Sequence, residues 1–217
     1  MTDLKRRKRG IGTELTAQCV EGVRQRGGKR IFAEPVCHHL GSQKLFRDLG
    51  FLQTAVSLAK YPGILQDRLG GQPESVTMTF KCLNGPVDEG RAFNLPHDHA
   101  DLFEGFFGRR ADVGELYTDE LPEPVYTAPL EASGIRGSAF LRIPANFQGT
   151  AGAIRRARSD GFVLSGFIPG HRRLSDGRRA DEVLLFMPSG AIDFGLVHVT
   201  SDLGPLLTHV RRELALA

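Results

Sequence analysis

Apolar residues recur along this chain at two periods, and the switches between them mark the elements. Leu15, Cys19 and Val23 stand at helical spacing, so residues 14–26 are expected to form a helix with those three on its buried stripe, stopped by Gly27-Gly28. Arg30 to Val36 then reads as a short strand, Ser42 to Leu49 as a second helix with Gly50 as its stop, and Phe51 with Thr54 to Ala59 as a strand. Ser75 to Leu83 alternates strictly, with Val76, Met78, Phe80 and Cys82 on one face, and is the clearest strand of all. Asn84-Gly85-Pro86 ends it, and the polar stretch to about residue 95 reads as a linker.

The second half repeats this logic. Leu95 to His99 opens a helix whose Leu102, Phe103, Phe106 and Phe107 make a strongly apolar face. Pro122 to Pro129 carries too many prolines for a helix interior or a central strand and reads as an extended connector. Ser138 to Ile143 is strand-like, Asn146 is placed to cap a helix ending at Ser159, and Phe162 to Ile168 is strand-like again. That strand–helix–strand order predicts parallel strands joined by a right-handed crossover. Val183 to Met187 and Ile192 to Val199 read as further strands, and Leu203 to Leu214 as a closing helix.

Composition narrows the class. A chain of 217 residues with 41% hydrophobic and 24% charged positions can bury a real core, and no apolar run reaches the length of a membrane span. No membrane partner is expected. The formal net charge of +3 is concentrated in clusters, which argues against a dedicated nucleic-acid binder. Cys19, Cys37 and Cys82 are an odd count at no framework spacing, so a reducing, cytoplasmic setting is expected.

The candidate chemistry lies where the first helix begins. Lys5-Arg6-Arg7-Lys8-Arg9-Gly10-Ile11-Gly12-Thr13 sets two glycines among cations at a helix start. Unpaired N–H groups and a partial positive charge there favour anions, phosphates above all, and glycine lets a ligand approach the backbone. Thr13 is the expected N-cap. The run Arg7-x-x-Gly10-x-Gly12 resembles the loop with which the GNAT superfamily of acyl-CoA-dependent N-acyltransferases holds the pyrophosphate of coenzyme A. Leu45-Phe46-Arg47-Asp48-Leu49-Gly50-Phe51 resembles that family's Leu-Tyr-x-x-x-Gly-Phe signature. More narrowly, His38-His39-x-x-Ser42-Gln43-Lys44, Gly50-Phe51 and Glu74-Ser75-Val76 resemble bacterial GNAT-like proteins that continue into a degenerate second half. Gly166 to Gly170 and Asp181 to Leu184 resemble markers of that half.

The resemblance implies an α/β protein with a mixed sheet of GNAT type, a partial first unit and a degenerate GNAT-like second unit. The units would be residues 1–84 and 95–217, with 85–94 between them. It implies acetyl-CoA or another acyl-CoA as co-substrate, held by Arg7, Arg9, Gly10, Ile11, Gly12 and Thr13, and an amine acceptor of unknown identity attacked without a metal or covalent intermediate. It assigns no catalytic residue. Phe46 stands where the family commonly has the tyrosine that protonates the departing thiolate, and a phenyl ring has no such proton. Phe46 is expected instead to pack on Leu49 and Phe51. The acceptor-side strands that precede the loop in the family have no counterpart in Met1 to Arg6, which leaves a non-catalytic regulatory or interaction module as the alternative. A homo-oligomer is left open.

Two side readings compete with this. Cys37 with His39, and His97 with His99, could each point two ligands one way, but the spacing matches no zinc finger and no metal is expected. Cys37 beside His38 does not make a catalytic dyad, because adjacent side chains in extended backbone diverge.

Overall fold

The computed structural model describes residues 10–62, 71–83, 91–132 and 134–216. In chain order the elements are α1 (Ile11–Gln25), β1 (Arg30–Ala33), α2 (Gly41–Asp48), β2 (Leu52–Tyr61) and β3 (Glu74–Cys82). There follow α3 (His97–Phe107), β4 (Val125–Thr127), β5 (Glu131–Ala132), β6 (Ile135–Arg136), β7 (Ala139–Pro144) and α4 (Thr150–Ser159). β8 (Val163–Arg173), β9 (Arg179–Met187) and α5 (Gly204–Leu216) complete the chain. Among the described residues seven strands form one sheet in the order β1-β3-β2-β8-β9-β7-β4, every pairing antiparallel, with β5 and β6 a separate hairpin.

This is a mixed α/β protein whose sheet is built twice over. β1-α2-β2-β3 folds with β3 inserted between β1 and β2; β7-α4-β8-β9 folds with β9 inserted between β7 and β8. The expected strand–helix–strand unit of residues 138–168 is therefore present, and β7 and β8 run the same way. They are not neighbours, because both pair antiparallel with β9.

The likeness of the two units extends to single residues at one constant spacing. α2 ends with Gly50 at φ 76° and α4 with Gly161 at φ 90°. In each, the glycine N–H and the following Phe N–H bond back into the last turn: Gly50 to Arg47 and Phe51 to Phe46, Gly161 to Arg158 and Phe162 to Ala157. That is the Schellman arrangement, in which an apolar contact joins the residue after the glycine to the helix. Phe51 and Phe46 make it, ring against ring at 5.0 Å. Further on, β2 is irregular around Thr54 and again before Tyr61, and β8 around Ser165 and before Arg172. Ala59 at φ 49° and Gly170 at φ 55° sit in the second irregularity of each.

The units meet edge to edge through β2 and β8. Ala55 pairs with Gly166, and around that point the contacts are reciprocal. Thr54 Oγ1 donates to the Phe167 carbonyl at 2.6 Å, and Ser165 Oγ donates to the Val56 carbonyl. These hydroxyls satisfy carbonyls that the bulges leave outside the ladder, where an unpaired buried acceptor would be costly.

β8 and β9 are buried over most of their length, so the middle of the sheet is covered on both faces. Phe167 of β8 is ringed by Phe93, Phe103, Phe106 and Phe107, which explains the apolar face of α3. α5 packs on β8 through the buried Leu206, Leu207 and Val210. Residues 91–93 are buried too. Arg91 forms a two-pronged pair with Asp181 at 3.0 and 3.1 Å, and Asp181 also accepts from Asn146 Nδ2 at 2.8 Å and Gly170 N–H at 2.5 Å. Replacing Asp181 by Ala leaves a buried guanidinium without its carboxylate. The expected cost is about 3–5 kcal/mol, read as a lower urea midpoint at unchanged slope.

Three sequence expectations are corrected. Residues 192–199 form no strand: Asp193 Oδ1 accepts from Gly195 N–H at 2.8 Å and winds Phe194–Leu196 into a short 3-10 turn. Asn146 does not cap α4, which starts at Thr150 after Gly149; its amide is committed to Ala92 and Asp181. The stripe of α1 is rotated from the one expected. Leu15 is 56% exposed and Cys19 is exposed, whereas Ile11, Thr16, Val20 and Val23 are half-buried. The phase of a helix stripe is set by what the helix leans on, and no residue of α1 is fully buried.

Candidate functional site

Gly10 is the residue that starts α1, and it does so in left-handed backbone at φ 74°. A side chain there would be strained, which gives Gly10 a local reason independent of any ligand. The first intrahelical bond runs from Glu14 N–H to Gly10 O at 3.0 Å. The N–H groups of Ile11, Gly12 and Thr13 thus lie ahead of the helical ladder, and among the described residues no side chain caps the helix. Thr13 is not the N-cap expected from the sequence; it sits inside the first turn, exposed, because glycine at position 10 already takes the turn into the helix.

Gly10, Gly12 and Thr13 are exposed and Ile11 is half-buried, so this helix start opens on solvent. A Cβ at Gly12 would meet only Leu45 Cδ1 of α2, at an ordinary 3.5 Å. The fold therefore leaves room there that glycine does not need for packing. Arg7 and Arg9, the expected charge partners of this loop, lie outside the described residues.

Beside the loop stands Leu45 of α2. Phe46 of α2 is half-buried and held edge-on to Phe51, as the Schellman contact requires. Among the described residues no strand pairs with the outer edge of β1, whereas its counterpart β7 carries β4 on that edge.

The segment matches a known family. Residues 2–51 match the model described as the Acetyltransferase (GNAT) family. That stretch is similar to the GNAT family. The match spans α1, β1 and α2, the part of the chain that carries the open helix start and the Gly50-Phe51 stop. No curated protein and no solved structure matches the chain.

The remaining residues singled out by sequence near this segment have structural work. Cys37 is wholly buried, and burial first, then the nearby Glu74 carboxylate, push its thiol far above the usual range. It is no nucleophile. Alkylation of the native protein with a thiol reagent is expected to mark the exposed Cys19 first and Cys37 only on unfolding, checked by peptide mass mapping. His38 Nδ1 lies 2.7 Å from Glu74 Oε1, and His39 Nδ1 accepts from Gly41 N–H at 3.1 Å.

Gln43 entered the sequence reading only as part of a motif, with no role given to it. Gln43 is fully buried; its Nε2 donates to the Val36 and His198 carbonyls at 3.0 and 2.8 Å, and its Oε1 accepts from Thr200 N–H at 3.2 Å. It ties α2 to the segment before α5. A glutamine in an amphipathic helix pattern gives no sign of this, since its partners lie far along the chain.

Proposed function

We propose that this chain binds an acyl-CoA, acetyl-CoA foremost, at the start of α1 and passes the acyl group to an amine. The observation that supports the reading is an exposed helix start with three N–H groups ahead of the ladder and two glycines, inside the segment that matches the GNAT family. The pyrophosphate would sit against the N–H groups of Ile11, Gly12 and Thr13, with Arg7 and Arg9 adding charge.

The chemistry is direct attack. The amine lone pair adds to the thioester carbonyl carbon, the C–S bond breaks, the nitrogen sheds a proton and CoA leaves as its thiolate. Phe46 cannot protonate that thiolate, so the proton comes from solvent or from the acceptor, and turnover is expected to be slow. With three unpaired cysteines among the described residues, the cytosol is the proposed compartment. No helix among the described residues is long and apolar enough to cross a membrane.

Calorimetric titration with acetyl-CoA, followed by a thiol-release assay over a panel of amines, tests both steps. Saturable binding with release of free CoA thiol supports the reading. Binding without release leaves a GNAT-derived binding module, and no heat at millimolar acetyl-CoA overturns the proposal.

A further inference from the structure

His99, His209 and Glu213 take no part in the site above, yet they converge inside the protein. His99 lies in the first turn of α3 and is wholly buried, and among the described residues neither of its ring nitrogens has a hydrogen-bond partner. His209 of α5 is 6% exposed, and its Nε2 also lacks a partner. Glu213 stands one helical turn beyond His209, so both side chains leave α5 on the same face. One ligand atom from each of the three residues lies within 4.8 Å of the other two.

Packing alone does not account for this. A neutral imidazole carries one donor and one acceptor, and buried ones ordinarily use them. Two buried imidazoles with orphaned nitrogens, each offering one atom within 4.8 Å of a carboxylate oxygen, are what a cation site looks like before its ion is bound. Burial, only partly offset by the Asp98 carboxylate, lowers His99 to about 4, so at neutral pH its ring is in the ligating form.

The geometry points to a divalent transition-metal site, with zinc the best-suited ion, formed by His99, His209 and Glu213 and clamping α3 to α5. Two imidazoles and one carboxylate suit zinc rather than magnesium or calcium. Bond lengths of about 2.0–2.1 Å place tetrahedral ligand atoms roughly 3.3 Å apart, so atoms that lie up to 4.8 Å apart must close by as much as about 1.5 Å. Water or Asp98, whose Oδ2 is 3.9 Å from His99 Nε2, completes the set.

The surroundings fit with one adjustment. Arg158 bonds Glu213 Oε1 at 2.6 Å and Asp98 Oδ2 at 2.8 Å, which orients the glutamate and leaves its Oε2 for the metal, 3.8 Å from His209 Nε2. Arg212 Nη2 lies 3.3 Å from His209 Nδ1. When Nε2 binds a metal, Nδ1 carries the proton, so the exposed Arg212 must swing away.

The test uses the untagged full chain, stripped with a chelator and titrated with Co2+ as a visible-absorbing stand-in for zinc. One equivalent should bind with the intense visible bands of a tetrahedral site and be displaced by Zn2+. Glu213→Gln and His209→Gln should each weaken binding at least 100-fold, and Arg212→Ala should strengthen it several-fold. Uptake unchanged in both ligand variants, with helical content intact, would overturn the site, as would no stoichiometric uptake by the wild type. X-ray absorption of the zinc-loaded wild type gives a reading that needs no variant. Two imidazoles with oxygen support the assignment; sulfur in the shell contradicts it.

Discussion

Gly12→Val is expected to lower affinity for CoA at least tenfold while leaving the protein as stable as before. The two halves of that expectation come from different observations. At Gly12 a Cβ meets, among the described residues, only Leu45 Cδ1 at 3.5 Å, the backbone is ordinary helix, and valine is no worse a helix former than glycine, so the fold tolerates the change. The proposed pyrophosphate, in contrast, needs the space in front of the N–H groups of residues 11–13. Losing one charge-assisted hydrogen bond costs on the order of 1.5–3 kcal/mol. Gly10→Val is the instructive contrast. It blocks the same approach but also forces a β-branched residue to φ 74°, so it should lose stability as well, by about 1–2 kcal/mol. Arg7→Ala should be milder than either for binding. Paired calorimetry and urea unfolding separate these effects; equal CoA affinity in wild type and Gly12→Val would break the link between the helix start and the ligand.

The largest structural effect is expected at Gly166. Its φ is 134°, and a Cβ there would lie 2.3 Å from the Thr54 carbonyl oxygen and 2.4 Å from Ala55 Cα. Both neighbours are backbone of the partner strand, held by the reciprocal Thr54 and Ser165 bonds, so neither can move aside cheaply. Gly166→Ala should therefore cost on the order of 4 kcal/mol or more, from overpacking together with strained backbone, and should open the seam between the two units. Gly161→Ala is the control. It carries a positive φ of 90°, but its Cβ would meet nothing nearer than Met187 Sδ at 3.8 Å, so only strain of about 1–2 kcal/mol applies. Urea midpoints for the two variants should differ widely. Similar midpoints would mean that the β2–β8 seam is not the tight junction described.

Much of this fold is legible in the sequence where the signal is local. Gly50-Phe51 and Gly161-Phe162 announce helix stops because only glycine takes left-handed backbone freely, and the following apolar residue folds back on the helix. The alternation of Ser75 to Leu83 marks β3, and Leu102, Phe103, Phe106 and Phe107 mark the buried face of α3. Legibility fails where distant partners decide. The alternation of Ile192 to Val199 looks like a strand, yet its backbone is taken by a 3-10 turn and by bonds such as His198 N–H to the Cys37 carbonyl. The phase of α1 is likewise not given by Leu15 and Cys19, which are exposed. The doubling of the sheet is hidden because its sharpest evidence lies in bulges, reciprocal hydroxyls and two positive φ angles, which Thr54 with Ser165 and Ala59 with Gly170 do not advertise as a repeat. The glycine-marked loop and its unpaired N–H groups were readable from the sequence; that Gly10 rather than Thr13 starts the helix was not.

The most direct measurement of the central claim follows backbone amides of the full chain by heteronuclear NMR while CoA is added. If the start of α1 holds the pyrophosphate, the amides of Ile11, Gly12 and Thr13 should shift most and together, saturating with one binding constant, and Gly12→Val should remove the effect. Saturating shifts centred on other residues, or no shift at Ile11 to Thr13 at millimolar CoA, would contradict the account.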